Sequence, residues 1–143
     1  MILVDTGPLV ALFDPKDPDF GGCHATLKIL NQPLYTTEAV LTEAFHLLDP
    51  GSRGAEGLMR FVLEGYVTVT ALEHPDTARA FELMDKYSDC PMDYADASIV
   101  AVAEKMKTLS VFTLDTGDFS TYRIKKGHRY YSPSLPGSKT VLA

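Results

Sequence analysis

The chain has 143 residues, 45% of them hydrophobic and 22% charged, and 19 acidic against 13 basic residues leave a net charge of −6. That length and balance suit a globular unit of about one domain with its own core. The acidic excess argues against a general nucleic-acid coat protein but allows an enzyme that touches nucleic acid locally. The two cysteines, Cys23 and Cys90, stand far apart in no C-x-x-C pair, which speaks against a disulfide framework or a cysteine-based zinc site. The opening Met-Ile-Leu-Val-Asp has no basic n-region and no long apolar h-region, so no signal peptide is expected. No apolar run approaches the roughly 18 residues of a membrane helix, and the expected compartment is the cytoplasm.

In chain order, Ile2-Leu3-Val4 reads as a buried strand stopped by Asp5, with a helix over 8–13 and Pro8 in its first turn. Asp14-Pro-Lys-Asp-Pro-Asp reads as a loop. A second helix is predicted over 20–31, ended by Pro33, and a short strand at Leu34-Tyr35. Thr36 or Thr37 caps a third helix whose Val40, Leu41, Ala44, Phe45, Leu47 and Leu48 form a stripe of 3.6-residue period. Another helix follows over 54–64. Residues 66–70, Tyr-Val-Thr-Val-Thr, alternate as a strand. Helices are expected over 75–87 and 93–107, a strand over 111–114 ended by Asp115, a loop or short helix after it, and a last strand at 129–131. Strands alternating with helices imply α/β architecture with a mainly parallel sheet. No repeat or linker divides the chain, so a single domain over 1–131 with a tail over 132–143 is the simplest organisation.

The acids occupy unusual places. Asp5 ends the first strand and Asp115 a late one, and ligands of open α/β sheets bind beyond the carboxyl ends of strands. Asp93 and Asp96 are three apart at a helix start and share a face. Asp93 suits either a first-turn acid facing the helix dipole or a site residue. Asp96 lies on the side of Met92, Ile99 and Val100, where a core-facing residue is expected. Glu43 runs along the apolar stripe with Ala39, Val40, His46 and Leu47, and no Lys or Arg of its own helix stands at the spacing to neutralise it. Burying an unpaired carboxylate costs several kcal/mol or forces its protonation. A divalent cation answers this for all the acids at once. Oxygen ligands without a His or Cys cluster suit Mg²⁺ or Mn²⁺ rather than Zn²⁺, and such sites usually act on phosphates.

His24, His46, His74 and His128 show no ligand spacing, and no Ser-His-Asp or Cys-His arrangement competes. Asp5-Thr6-Gly7 and Asp115-Thr116-Gly117 both spell the aspartic-protease triplet, but that class is all-β and does not fit the predicted helices. A haloacid-dehalogenase phosphatase needs an acid two residues after the first, where Gly7 stands.

Four elements recur in a fixed order: strand-Asp5-Thr6; Thr42-Glu43; Met92-Asp93-Tyr94-Ala95-Asp96-Ala97-Ser98-Ile99-Val100-Ala101; and Thr113-Leu114-Asp115-Thr116-Gly117-Asp118-Phe119. Together they resemble the PIN-domain nucleases, and within them the small VapC-type toxins, over residues 1–131. The resemblance implies a three-layer α/β/α sandwich on a parallel sheet of four or five strands. It implies Mg²⁺-dependent endoribonuclease activity on single-stranded RNA. By position, Asp5, Glu43, Asp96 and Asp115 match the family's four-acid site, Asp93 and Asp118 its extra acids, and Thr6 and Thr113 its hydroxyl positions. It also implies a homodimer and, for toxins, a small antitoxin partner. A PIN-like module that binds a basic partner or RNA without cleavage is the alternative. Six basic residues, Lys105, Lys107, Arg123, Lys125, Lys126 and Arg129, gather in the last third as phosphate contacts or a solvated face. Tyr122, Tyr130 and Tyr131 among them suit base stacking, core packing or dimer contacts.

Overall fold

The computed structural model describes residues 1–127 and 129–131. Its central sheet has four parallel strands, β1 (Ile2–Val4), β2 (Leu34–Thr37), β3 (Thr68–Thr70) and β4 (Val111–Phe112), in the order β3-β2-β1-β4. Leu3 pairs with Tyr35 on one side and Val111 on the other. Strands β1 and β4 are apolar throughout and buried, as a parallel sheet covered on both faces requires.

Helices α1 (Thr6–Phe13) and α2 (Phe20–Ile29) connect β1 to β2, and α3 (Glu38–Leu47) and α4 (Arg53–Leu63) connect β2 to β3. The chain then crosses back through α5 (His74–Lys86) and α6 (Tyr94–Met106) to β4. Right-handed crossovers place α1 to α4 on one face of the sheet and α5 and α6 on the other. In the packing, α1 lies against α2, α3 and α4, and α6 against α5, β1 and β2; α3 also meets α6, where its N-cap Thr37 shares a hydrogen bond with Ser98. Helix α6 has the longest buried run, from Ala97 through Ala103 without interruption, and its alanines let it approach the sheet closely. Its left-handed C-cap, Lys107, turns the chain toward β4.

Beyond β4 come α7 (Thr116–Thr121) and an antiparallel hairpin of β5 (Ile124–Lys126) and β6 (Arg129–Tyr131). The structure has the expected α/β/α arrangement, with four strands in the parallel sheet. Several boundaries differ. Helix α1 begins at Thr6, because Asp5 takes the extended N-cap conformation and Pro8 still falls in the first turn. Strand β2 runs on to Thr37, whose hydroxyl accepts from the Val40 N–H and caps α3. Strand β3 begins at Thr68 and β4 ends at Phe112, both shorter than their apolar runs. Strand β5 was not expected, since Ile124-Lys125-Lys126 carries one apolar residue; Ile124 is nonetheless buried. Strand β6 pairs with β5 and not with the main sheet. His128 and the tail over 132–143 lie outside the described residues.

Candidate active site

In the order β3-β2-β1-β4, connections leave β1 toward β2 on one side while β4 joins on the other, so the carboxyl ends of β1 and β4 flank the crevice where such sheets bind ligands. The Asp5 N–H extends this pairing by donating to the Phe112 carbonyl at 2.9 Å. That fixes Asp5 at the mouth of the crevice. Gly7 keeps the first turn of α1 close to the segment after β4: a Cβ there would stand 3.2 Å from Leu114 Cβ.

One cleft of about 590 Å³ opens here, lined by Asp5, Glu43, Asp93, Asp96, Asp115 and Asp118. Every acid singled out in the sequence thus reaches one concavity. Each comes from a different local device. Asp5 follows β1. Glu43 lies on α3. Asp93 is the N-cap of α6 and accepts from the Asp96 N–H at 2.8 Å, so its capping role and its place in the cleft coexist. Asp115 caps α7 in the same manner, accepting from the Asp118 N–H at 3.2 Å. Thr6, Asp17 and Leu114 also line the cleft, and no Lys, Arg or His does among the described residues.

Hydroxyls set the orientation of the two deepest acids. Asp5 is 6% exposed, and Thr113 Oγ1 donates to its Oδ2 at 2.9 Å while accepting from the Asp115 N–H at 3.0 Å. Tyr122, fully buried, donates its hydroxyl to Asp96 Oδ2 at 3.2 Å. Its ring is held edge-on between Tyr87 and Phe119, with centroids at 5.1 and 5.2 Å. The base-stacking reading of Tyr122 therefore fails, since a ring this deep has no open face. Burial, opposed in part by the Thr6 backbone N–H and the Thr113 hydroxyl, pushes the Asp5 carboxyl up to about 6. Burial, and then the charges of Asp5 and Asp93, push Asp96 up to about 8. Asp115 is also raised, first by burial.

The basic residues stand elsewhere. Lys105 pairs with Asp76 at 2.9 Å and Glu73 at 3.8 Å, roughly 13 Å along α6 from Asp96. Arg123 Nη1 donates to the carbonyls of Ser120, Thr121 and Tyr122. Lys107, Lys125 and Lys126 do not line the cleft, and the side chains of Arg129, Tyr130 and Tyr131 lie outside the described set.

These residues fit a divalent cation. The donors are hard oxygens, their mutual repulsion calls for positive charge, and none is protein-borne within the cleft. Thr6 Oγ1, 5% exposed at its edge, is the one buried side-chain polar atom among the described residues without a hydrogen-bond partner. Among the described residues, no three His, Cys, Asp or Glu side chains form a ready-made shell.

Asp17 escaped the sequence, and so did the bond of Tyr122 to Asp96, although core packing was among the readings given for that ring. Asp17 sits in a loop with Asp14 and Asp19, and nothing local distinguishes it from them. Tyr122 stands three residues after Phe119, an apolar spacing that suits the core but says nothing of a carboxylate partner.

Comparison with known proteins agrees with this architecture. The chain is 25% identical over 131 residues to ribonuclease VapC26 of Mycobacterium tuberculosis, covering 90% of this chain and 97% of that one. Its fold is similar to that of VapC20 of the same organism, a sarcin-ricin loop cleaving toxin, with a TM-score of 0.76 at 23% identity over 82% of this chain and 92% of that one. A toxin-antitoxin complex from Klebsiella pneumoniae gives a TM-score of 0.65 at 20% identity, over 84% and 91%. The PIN-domain family model matches residues 2–125, nearly the whole described chain, and the chain belongs to that family.

Proposed function

We propose that this chain is a Mg²⁺-dependent endoribonuclease (Mn²⁺ being a possible substitute) that hydrolyses RNA phosphodiester bonds as the toxin of a toxin–antitoxin pair. The observation that carries this reading is a cleft in which Asp5, Glu43, Asp93, Asp96, Asp115 and Asp118 meet without one basic side chain among the described lining residues. Such a cleft repels an RNA phosphate unless a cation stands between them. The name of VapC26 as a ribonuclease supports the chemistry, and the Klebsiella complex supports a small antitoxin partner.

Asp5 and Asp96 would hold the cation, with Glu43 and Asp115 completing the site directly or through water, and Asp93 and Asp118 adding negative charge around it. When bound, a divalent cation neutralises phosphate oxygens and lowers the pKa of a water toward neutrality. The rest falls to the chain. Thr113 and Tyr122 each fix one oxygen of Asp5 and Asp96, so the carboxylates do not swing away as charge changes. Thr6 Oγ1 offers an unused hydrogen bond at the cleft wall.

The working unit of this reading is a single domain over 1–131 in a cytoplasmic homodimer. Met59 and Leu63 of α4 are exposed at 50% and 85%, apolar surface that a second copy would cover. No helix of the described residues is long and apolar enough to cross a membrane. The second reading, a non-cleaving module that docks a basic partner or RNA, draws on the lack of a closed ligand shell among the described residues. Incubating labelled single-stranded RNA with the protein in Mg²⁺ and in EDTA separates the two: the nuclease cuts only with the metal, and the module cuts in neither.

A further inference from the structure

A second cavity, of about 730 Å³, adjoins the acid cleft and shares Glu43 and Asp93 with it. It lies between α3, the loop before α5, and the start of α6. Its apolar surface comes from Ala39, Leu72 and the ring of Tyr94, and its polar rim from Glu38, Thr42 and His46. Tyr94 sits between the two acids of α6, Asp93 and Asp96, so the helix backbone ties it to the acid cleft within one turn. Its ring packs on Phe81 with centroids 6.0 Å apart.

The chemistry of this cavity is selective. Glu38, Glu43 and Asp93 contribute carboxylates, and no Lys or Arg is among the described lining residues, so phosphate and acidic peptides are repelled. Glu38 and His46 have no side-chain hydrogen bond or ion pair among the described residues. Thr42 Oγ1 donates to the Glu38 carbonyl at 2.9 Å and is left as an acceptor. A flat ligand with adjacent N–H donors on one edge and acceptors on another satisfies all of these. Guanine has that pattern: N1–H and the N2 amino group match the two oxygens of a carboxylate, and O6 and N7 accept from an imidazole N–H such as that of His46. Uracil offers one N–H and no amino group.

Resting on the ribonuclease reading, we infer that this cavity is a base-recognition subsite that takes a guanine next to the scissile phosphate, stacked on Tyr94 and read by Glu38. The shared Glu43 and Asp93 make the two spaces one continuous path for a strand. Stacking and a paired edge contact are each strong enough to bias cleavage about tenfold.

Two measurements on the full-length protein test this. The first maps cleavage ends in a random single-stranded RNA pool for wild type, Glu38→Gln and Tyr94→Ala. The subsite predicts guanine enriched at one fixed position beside the cut, with the enrichment reduced about tenfold in either variant while cleavage continues. An enrichment pattern identical in all three proteins overturns it. Glu38 is exposed, so Glu38→Gln tests the idea even if the Tyr94 variant folds poorly. The second measurement follows amide chemical shifts in EDTA on adding guanosine, uridine or free arginine. Shifts around residues 38, 42, 46 and 94 with guanosine, and weaker ones with uridine, support the subsite. Equal or absent shifts with the two nucleosides overturn it. So does a stronger response to arginine, which would mark a guanidinium pocket for a protein partner. Guanosine binding without any RNA cleavage in Mg²⁺ would keep a guanine pocket but overturn both the nuclease reading and the placement of that pocket beside a scissile phosphate.

Discussion

Replacing Asp96 by Asn removes the most strongly perturbed charge in the acid cleft while keeping the side chain's shape. Asn Oδ1 still accepts from the Tyr122 hydroxyl, and the Asp96 backbone N–H still donates to Asp93. What disappears is the cost of keeping Asp96 in the cleft: burial and the charges of Asp5, Asp93 and Asp115 push its pKa up to about 8, so at neutral pH the folded chain must hold there a proton that the unfolded chain releases. The cleft is open to water, and screening cuts the effect well below the full shift. About 1–2 kcal/mol of added metal-free stability remains, worth roughly 2–8 °C for a chain of this size. Thermal unfolding in EDTA at neutral pH measures it. In Mg²⁺ the order should reverse in its response: wild type gains stability by binding the cation, and the variant gains little. A variant that melts several degrees below wild type in EDTA would refute the reasoning and make Asp96 a structural element of α6.

The same shifts fix a pH dependence. With Asp5 raised to about 6 and Asp96 to about 8, the folded state keeps protons that the unfolded state releases from about pH 4 upward. Metal-free stability should therefore fall as pH rises from about 4 to 8, and denaturant titrations across that window check the sign; a steady rise would contradict it. Tyr122→Phe should lower metal affinity or cleavage about tenfold or more with little loss of secondary structure, because Asp96 Oδ2 loses its donor; calorimetric Mn²⁺ titration reads the affinity separately from activity. Light scattering should give a mass near twice 15.7 kDa, and a monomer at every concentration would count against the dimer.

The α/β alternation was legible because each strand of the parallel sheet is a short β-branched or apolar run and most helices carry a stripe. The acids could be singled out because Asp96 and Glu43 stand where apolar residues belong, a local conflict that sequence reports directly. What sequence did not report depends on distant packing. Tyr122 acquires its role only when α7 folds back over α6, which brings its hydroxyl to a carboxylate 26 residues earlier. Lys105 looked available for phosphate, yet α5 places Asp76 and Glu73 beside it. The hairpin of β5 and β6 was partly hidden because Lys125 and Lys126 face solvent and leave no alternating pattern. Asp17 shares its loop with two identical neighbours, and only the fold selects it.

The central claim is that the cleft's carboxylates hold a cation required for cutting RNA. The cleavage rate of one labelled RNA against Mn²⁺ concentration, for wild type and for Asp5→Asn, tests it most directly. Asp5 is the deepest acid and keeps its shape in this change, with Asn able to accept from Thr113. The account predicts no cleavage in EDTA, a saturable rise for wild type, and for Asp5→Asn a midpoint at least about tenfold higher with most of the maximal rate lost. Full wild-type cleavage in EDTA, or superimposable curves for the two proteins, would contradict it.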